Sequence, residues 1–556
     1  MLRTVPVLLT LALVVPHATL GRGRGLAACG VGFAADDPPP PSAARVSNID
    51  DVRRKLGLTP NFISTPRIGD IKIAVLDSGF DGIDGKRPYL PKSAVVVEHY
   101  DPEFVKRNNL GDPQFQKPLL PGNIHGRLMA QVAWETSGKS PHGPKFYLLN
   151  ANGPTMFRRA VRYAIEEKCD IVLFSGTFEG AGNYDGRGPI NVAVDEAVAA
   201  GIIWVNAAGN TGGMVFNGQV ELDASGFLKT PLRFTNRLDE NAVTITLTWN
   251  DYRDAEDAGT DNDLDLIVED WRGRVVGESK LRQVPAGRDA GDGETKNPRE
   301  RVVLTDLAAV PPGKEYRVRV KANGGTFGPR DRVRVLLSPA RTTPITDPDS
   351  GQTFLPMQFL DAIPRGEIYP PADHAGVVTV GDASTVSSVG PTADGRLKPD
   401  VILAESVARF SNGEETVGSS NAAAFFAGVA AVLKAAEPGL KASHLKQWVK
   451  QVDKLRTETR PPAPPAGRVS SPVLMLSSNE QRALKYAQAT LEEKRLRGEA
   501  NPRVDISSGG SVVRPLPPAP AQSSLPPAAK PPSGVLVHTP WATPPPRVLA
   551  ELVRGK

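Results

Sequence analysis

Three side chains of this sequence could together turn a serine hydroxyl into a nucleophile. Asp77 ends the apolar segment IKIAVLD, His125 opens the helical pattern HGRLMAQVAWE, and Ser420 lies at the start of SSNAAAFFAGVAAVL. A serine hydroxyl is a poor nucleophile at neutral pH and needs a neighbouring base to take its proton. A histidine is such a base when an acid binds its other ring nitrogen and fixes the tautomer. The three residues therefore predict acyl-transfer chemistry.

A fourth polar side chain, Asn210, ends the segment GIIWVNAAGN. Its amide is a candidate donor to the oxyanion that forms on an attacked carbonyl. The backbone N–H of Ser420 is a second candidate, because the first N–H groups of a helix have no partner within it. Two glycines accompany these residues: Gly79 allows a sharp turn after the acid, and Gly126 allows close backbone approach beside the base.

The elements around these residues predict an α/β fold with a parallel sheet flanked by helices. Continuous apolar runs are typical of strands buried on both faces of such a sheet, and here they alternate with helical patterns. Residues that follow such strands meet at the carboxyl edge, where open α/β sheets place their sites. The runs are IKIAVLDSG, KFYLLNA, DIVLFSG and GIIWVNAAGN, and the helical patterns are HGRLMAQVAWE, FRRAVRYAIEEK and NVAVDEAVAAG.

After Asn210 the pattern changes to short alternating segments, among them AVTITLTWN, DLDLIVED, YRVRVKA and RVRVLLS. Alternation bounded by Gly, Pro, Asp and Asn is typical of antiparallel strands. The α/β pattern returns at GVVTVGDAS. We therefore expect an antiparallel β-sandwich at residues 213–364, inserted into an α/β domain formed by residues 49–212 and 365–454. An exposed loop whose ends are close together can accept such an insertion.

The two ends of the chain carry other signals. Residues 1–35 contain the apolar run VPVLLTLALVV, which has the length of a signal peptide and is too short to span a bilayer. We therefore expect export, to the medium or the cell envelope. LAAC at 26–29 resembles a lipoprotein cleavage site, which leaves a lipid anchor at Cys29 as an alternative. Residues 36–48 read as a proline-rich linker, 455–500 as a linker with a charged helix, and 501–556 as a proline-rich disordered tail.

Composition argues against several classes of protein. The net charge is only +5 over 556 residues and is spread along the chain, so no nucleic-acid partner is expected. The two cysteines, Cys29 and Cys169, cannot form a disulfide framework. No later segment reaches 18 unbroken apolar residues, so no transmembrane segment is expected. We also expect that no cofactor is required.

Asp261, Asp263 and Asp265 alternate in DNDLD and leave two interpretations open. Their oxygens could bind Ca²⁺, a cation that prefers oxygen ligands. Alternation along a strand can equally turn the carboxylates into solvent, and this is the favoured interpretation. The isolated histidines are likewise expected at the surface; they are His142, His374, His444 and His538.

Four ordered motifs give the chain a family resemblance. The chain resembles the subtilisin-like serine peptidases, or subtilases, in which acid, histidine and serine occur in this order. VLDSG is similar to their aspartate motif, HG with its helix to their histidine motif, AAGN to their oxyanion motif and GSSNAAAFFAG to their serine motif. The resemblance covers residues 71–210 and 369–433. IYPPADHAGVVTVGD resembles a family segment that usually follows AAGN closely, and its position here, after Glu367, independently indicates an insertion.

The resemblance implies a secreted endopeptidase that forms an acyl-enzyme on the serine. It implies that Ser175 and Gly176, in the segment SGT, pair with the backbone of a protein or peptide substrate, as a strand added to a sheet edge. LTWND and NDLDLIV resemble the jelly-roll domain of some subtilases. The residues to which the resemblance gives catalytic roles are Asp77, His125, Ser420 and Asn210.

The chain also departs from the family pattern. Ser419 stands where the family has Thr, Ala424 where it has Pro, and Arg127 where it has Thr after HG. The segment before Asp77 is short for the usual folding propeptide. These departures keep an alternative open, namely a catalytically impaired subtilase-fold protein that acts as a protein- or glycan-binding module. An α/β-hydrolase esterase is not expected, because that fold requires the serine first, in a G-x-S-x-G turn.

Overall fold

The computed structural model of the chain describes residues 45–447 with short gaps. The predicted signal region, the possible anchor at Cys29, the linker up to residue 44, the charged helix and the proline-rich tail lie outside the described residues, as do His142 and His538. The gaps are 56–57, 59–65, 83–89, 92, 139–142, 240, 256–257, 312, 341–344, 347–352, 362–365, 385, 404–405, 412 and 414.

A seven-stranded parallel sheet, in the order β2-β3-β1-β4-β5-β19-β20, carries the candidate residues. Helices cover both of its faces, so successive residues of β1 enter two different cores. The predicted α/β fold with a parallel sheet is confirmed. Its strands are β1 (Lys72–Asp77), β2 (Val95–Val97), β3 (Lys145–Asn150), β4 (Ile171–Phe174), β5 (Ile203–Ala207), β19 (Val378–Asp382) and β20 (Val401–Leu403). The helices are α1 (Ile49–Lys55), α2 (Pro102–Arg107), α3 (His125–Ser137), α4 (Pro154–Glu166), α5 (Pro189–Ala199) and α6 (Ser419–Ala436), with a 3₁₀ turn at Pro66–Asp70.

Helices α3 and α6 pack side by side on one face of this sheet. A Cβ at Gly428 of α6 would lie 2.7 Å from the Ala133 carbonyl and 2.6 Å from the Thr136 side chain, so the two helices touch through their backbones. The contact lies about 12–16 Å along each axis from His125 and from Ser420. The starts of both helices are therefore held at the same end of the sheet.

Among the described helices, only α6 is long and apolar enough to cross a membrane, and most of it is buried in the core.

Two antiparallel sheets lie between β5 and β19 in the chain, and together they are called the antiparallel module here. One has the order β13-β8-β15-β6 and the other β10-β9-β14-β7-β18. Apolar residues of both sheets, among them Leu247 and Leu266, form one shared core. The domain limits at 213 and 364 and the jelly-roll topology stay predictions. The strands are β6 (Val215–Gln219), β7 (Leu232–Asn236), β8 (Asn241–Trp249), β9 (Asp263–Glu269), β10 (Val275–Ser279), β13 (Arg299–Leu307), β14 (Tyr316–Gly324), β15 (Arg332–Pro339) and β18 (Met357–Phe359).

Short paired strands complete the described part; they are β11 (Arg282–Gln283) with β12 (Glu294–Thr295), β16 (Ile345–Thr346) with β17 (Thr353–Phe354), and β21 (Ala408–Arg409) with β22 (Glu415–Thr416).

One buried carboxylate joins the two ends of the antiparallel module. Glu367 follows the module, and its two oxygens accept the N–H groups of Gly213, just before the module, and of Val389, each at 3.0 Å. The Glu367 side chain is buried. Burial raises its pKa, against the two N–H bonds that lower it. The chain therefore leaves and rejoins the α/β part at one fixed point.

Glu367→Gln should destabilise the fold. The amide NH₂ would face one of the two backbone N–H groups and leave it unpaired, which costs about 1–3 kcal/mol for a buried donor. We expect the free energy of unfolding in urea at neutral pH to fall by about that amount. The exposed Glu221 of the module offers the control, and Glu221→Gln should stay within about 0.5 kcal/mol of the parent protein. Equal stability of the two variants would contradict the role of Glu367.

Candidate active site

The end of β1 brings Asp77 and His125 together. Asp77 is 5% exposed, and its Oδ2 lies 2.7 Å from Nδ1 of His125, the first residue of α3. The other oxygen, Oδ1, accepts the N–H of Gly79 at 2.9 Å. The His125 side chain keeps 19% of its surface exposed. The acid thus holds one ring nitrogen of the histidine, and within the described residues no hydrogen bond involves the other nitrogen, Nε2.

This pairing controls the charge of His125. Burial disfavours the imidazolium and lowers the pKa, but the negative charge and the hydrogen bond of Asp77 raise it by more, so that the pKa of His125 lies above its usual value of 6.5. The contact requires glycine at position 126, because a Cβ there would overlap Asp77. Position 79 also requires glycine, because a Cβ there would overlap Asn123. The close approach predicted at Gly126 is confirmed.

Ser420 lies at the start of α6, against the end of β4. Its hydroxyl donates to the Ser175 carbonyl at 3.1 Å, and the Ser175 hydroxyl donates to the Ser420 carbonyl at 3.3 Å. Ser175 follows Phe174, and Phe174 pairs with Leu76, the residue before Asp77, on the neighbouring strand. Neighbouring strands lie about 4.8 Å apart. Ser420 is therefore bound to backbone that lies beside the backbone of Asp77, at the predicted carboxyl edge.

The histidine and the serine are not hydrogen-bonded to each other. In the described part of the chain, the Ser420 hydroxyl bonds to Ser175 and the His125 ring bonds to Asp77. A serine hydroxyl moves between staggered positions by rotation about χ1. Catalytic hydrogen bonds of unliganded sites often tighten only when a substrate is bound. The structure thus gathers the three side chains at one edge without a continuous hydrogen-bond chain through them.

Asn210 is held by the residue that precedes Ser420. Its Oδ1 accepts the Ser419 N–H at 3.1 Å, and the single hydroxyl proton of Ser419 is shared between this oxygen and the Gly209 carbonyl, each at 3.0 Å. The amide oxygen is therefore occupied, which leaves the NH₂ group as the donor. Gly418 has a φ of +121°, and a Cβ there would lie 3.2 Å from the Asn210 amide. The departure at Ser419 keeps the hydroxyl that Thr would supply, and this hydroxyl positions Asn210.

Ser388 is a positioning residue that sequence reasoning missed. Its N–H donates to the Gly209 carbonyl at 2.9 Å, and its Oγ accepts the Thr211 N–H at 3.0 Å. Both neighbours of Asn210 in the chain are thereby fixed. The available signal was weak, because Ser388 lies in the family-like segment TVSSVGPTADG but a serine in a loop has no distinctive spacing.

Three residues remain: the predicted substrate-binding residue Gly176, and Ala424 and Arg127, which depart from the family pattern. The Gly176 carbonyl accepts a hydrogen bond from the Asn206 amide at 3.0 Å. A side chain of the neighbouring strand β5 therefore holds the backbone after Ser175. Ala424 is fully buried within α6, which continues past it without a break. Arg127 lies on α3, where its guanidinium donates to the Gly82 carbonyl at 3.4 Å.

The predicted solvent exposure of Asp263 and Asp265 is wrong. Asp263 and Asp265 on β9 are each only 5% exposed, although Asp261 is exposed. Burial raises the pKa of Asp263 to about 6, helped by the negative charge of Asp265, although a backbone hydrogen bond from Gln283 and the charge of Arg282 oppose the rise. No group of three or more His, Cys, Asp or Glu side chains in the described residues is arranged to hold a metal ion.

His374 is also buried, whereas a surface position was predicted. It is 6% exposed, and its Nε2 lies 2.9 Å from the Asp195 carboxylate on α5. Its Nδ1 accepts the N–H of Gly376 at 3.0 Å. The histidine therefore fastens the segment before β19 to a helix. His444 is half-buried.

Comparisons with known proteins show the family of this chain. The model of the family described as the subtilase family matches residues 69–462. No curated protein matches significantly. Among solved structures, the CspB protease of Clostridium perfringens is 16% identical, with 70% of this chain and 89% of that chain covered and a TM-score of 0.43. MycP1 from Mycobacterium smegmatis is 13% identical, with 79% and 86% covered and a TM-score of 0.32. A cold-adapted subtilisin-like serine proteinase is 13% identical, with 69% and 82% covered and a TM-score of 0.29.

Asp77→Asn should lower the pKa of His125. The substitution removes the charge that raises this pKa, while burial, which lowers it, remains. We expect the pKa to fall from above 6.5 to below it, measured by NMR titration of the ring resonance, which His125→Ala assigns. The exposed acid Asp101 provides the control, since Asp101→Asn should leave the His125 pKa in place. An unchanged pKa in Asp77→Asn would refute the pairing.

Proposed function

This chain belongs to the subtilase family, a family of serine peptidases, and we propose that it is a secreted endopeptidase that cleaves peptide bonds through an acyl-enzyme on Ser420. The observation that carries the proposal is the Asp77–His125 bond at the same sheet edge as the Ser420 hydroxyl. An acid-bound histidine beside a serine at a helix start is the arrangement that nucleophilic catalysis by serine requires.

The first step is attack by Ser420 Oγ on the scissile carbonyl carbon. His125 Nε2 takes the hydroxyl proton, because Asp77 keeps the other ring nitrogen as a donor and stabilises the imidazolium. His125 then gives the proton to the leaving amine. Water, deprotonated by the same histidine, cleaves the ester and restores the Ser420 hydroxyl.

Two groups beside the nucleophile can donate hydrogen bonds to the oxyanion. The NH₂ group of Asn210 can donate, since Ser419 occupies the amide oxygen. The Ser420 N–H can donate as well, because it belongs to the first turn of α6. Loss of one such side-chain donor lowers the rate of subtilisin about 10²–10³-fold.

The proposal assigns Ser175 a part in starting the reaction. Its carbonyl holds the Ser420 hydroxyl at 3.1 Å in this structure. A substrate strand that pairs with the segment 175–177 brings an N–H group that competes for carbonyls of this segment. When the Ser175 carbonyl is taken, the Ser420 hydroxyl turns about χ1 toward His125. Protein and peptide substrates are thereby favoured over small esters that lack such an N–H group.

Export is part of the proposal and is supported by the signal pattern in residues 1–35. The described chemistry uses side chains and backbone alone, so the proposed reaction requires no cofactor. No nucleic-acid partner is proposed.

One observation favours a second candidate, an impaired peptidase that binds a protein or a glycan. In the described residues the Ser420 hydroxyl bonds to Ser175 and not to His125. The two candidates differ in the reactivity of that hydroxyl.

A serine-directed fluorophosphonate should form one adduct with the full-length folded chain, and mass spectrometry should place it on Ser420. Ser420→Ala should lose the adduct and lower peptide cleavage about 10⁶-fold, with an unchanged circular dichroism spectrum. Ser225→Ala, at an exposed serine of the antiparallel module, should keep both. If the folded parent protein is not labelled and does not cleave peptides, the result would support the binding protein instead.

The pH dependence of kcat/KM should show an acid limb above the ordinary histidine value. Neutral His125 is the base, so activity is present above its pKa and is lost as the pH falls through it. Because Asp77 raises this pKa, the midpoint should lie above 6.5. A rate that persists to about pH 4, far below the reference value, would argue against His125 as the base.

A further inference from the structure

The segment that follows the proposed substrate-pairing residues is built onto the antiparallel module. Residues 178–184, called the cleft loop here, continue directly from residues 175–177. Tyr252, which follows β8 of the module, donates its hydroxyl to the Gly180 carbonyl at 2.5 Å. Its backbone exchanges two further bonds with the Asn183 amide, at 2.7 and 2.8 Å. One residue of the module thus makes three hydrogen bonds to this loop.

Packing joins the loop to the same sheet. Gly180 has a φ of +76°, and a Cβ there would lie 3.0 Å from Arg299 of β13 and 3.1–3.2 Å from Thr246 and Thr248 of β8. These are side chains of two neighbouring strands in one sheet. The loop backbone therefore lies against the module, and a side chain at position 180 would be tightly packed against it.

The end of the loop is fixed by a buried stack. The Tyr184 hydroxyl lies 2.6 Å from the Thr248 hydroxyl, and the Arg334 guanidinium lies 3.5 Å from the Tyr184 ring centroid. Arg334 is on β15 and also faces the ring of Tyr369 at 5.3 Å.

At the start of the loop, the Glu179 carboxyl lies near Arg301 on β13 of the module. Burial raises the pKa of Glu179 to about 8, and the positive charge of Arg301 on β13 and a hydrogen bond with Thr177 oppose the rise. Glu179 therefore lies between the last residue of the pairing segment and a strand of the module.

We propose that Tyr252 is a positioning residue for extended peptide substrates, and that the antiparallel module sets the geometry of the cleft wall formed by residues 175–177. The inference rests on the proposed function. Binding by strand addition depends on main-chain hydrogen bonds, which require the wall to be held in register. Tyr252 acts on substrate through the loop and does not contact the reacting atoms. Its effect should therefore grow with the length of peptide that pairs with the wall.

The test compares Tyr252→Phe with Tyr316→Phe in the full-length protein. Each substitution removes one tyrosine hydroxyl that donates to a backbone carbonyl. The Tyr252 hydroxyl donates to Gly180 in the cleft loop, whereas the Tyr316 hydroxyl donates to Ala308 within the module, at 3.1 Å. Substrates are a peptide with four residues before the scissile bond and a single-residue ester. We expect Tyr252→Phe to raise KM for the peptide about 5-fold, the equivalent of one hydrogen bond, with kcat and the ester kinetics unchanged. Tyr316→Phe should leave all these values unchanged.

Hydrogen exchange gives a readout that does not depend on activity. The backbone N–H groups of residues 178–184 should exchange faster in Tyr252→Phe than in the parent protein or in Tyr316→Phe. Unchanged KM and exchange in Tyr252→Phe, or an equal rise of KM in both variants, would overturn the positioning role while cleavage by the parent protein still upholds the peptidase. A parent protein that neither cleaves nor labels would overturn both proposals.

Discussion

The bond between Asp77 and His125 is the interaction on which the rest of this site depends. A carboxylate that is 5% exposed must have partners for both oxygens, because an unpaired buried charge is very unfavourable. Gly79 and His125 supply those partners. A Cβ at position 126 would overlap Asp77 itself, and one at position 79 would overlap Asn123. The same bond fixes the tautomer and raises the pKa of the histidine. Position and protonation of the proposed base thus have one physical origin.

The second constraint is the pair of reciprocal bonds between Ser175 and Ser420. They tie the start of α6 to the end of β4, so the proposed nucleophile and the proposed substrate wall share one contact. The contact at Gly428 keeps α6 beside α3 further along, which sets both helix starts at one edge. In the proposed reaction, a substrate strand and the Ser420 hydroxyl would compete for the Ser175 carbonyl. Such competition would release the hydroxyl to turn toward His125, although the two are not hydrogen-bonded in this structure.

Sequence patterns predicted most of the parallel sheet, because β1, β3, β4 and β5 are continuous apolar runs with a polar residue at or just after their ends. The short strands β2 and β20 were not among the predicted runs. The patterns also predicted that Asp77 and His125 would meet. Burial of Asp263 and Asp265 could not be predicted, since alternation shows which side chains share a face and not what covers that face. The predicted surface position of His374 was wrong for a similar reason, because its partner Asp195 is distant in the chain, on α5. Ser388 and Tyr252 make hydrogen bonds to residues that are distant in the chain, and such bonds leave no periodic pattern in the sequence.

The point of insertion gives the antiparallel module contact with both sides of the proposed cleft. Glu367 fixes the start of the module at Gly213, shortly after Asn210, and so holds the oxyanion side. Tyr252 binds the loop that continues the opposite side. A module attached after the catalytic domain would lack the covalent link beside Asn210. It would contact the proposed cleft by packing alone. In the proposed site, the distance between Asn210 as oxyanion donor and residues 175–177 as substrate wall would therefore depend on the module, whose two sheets share one apolar core.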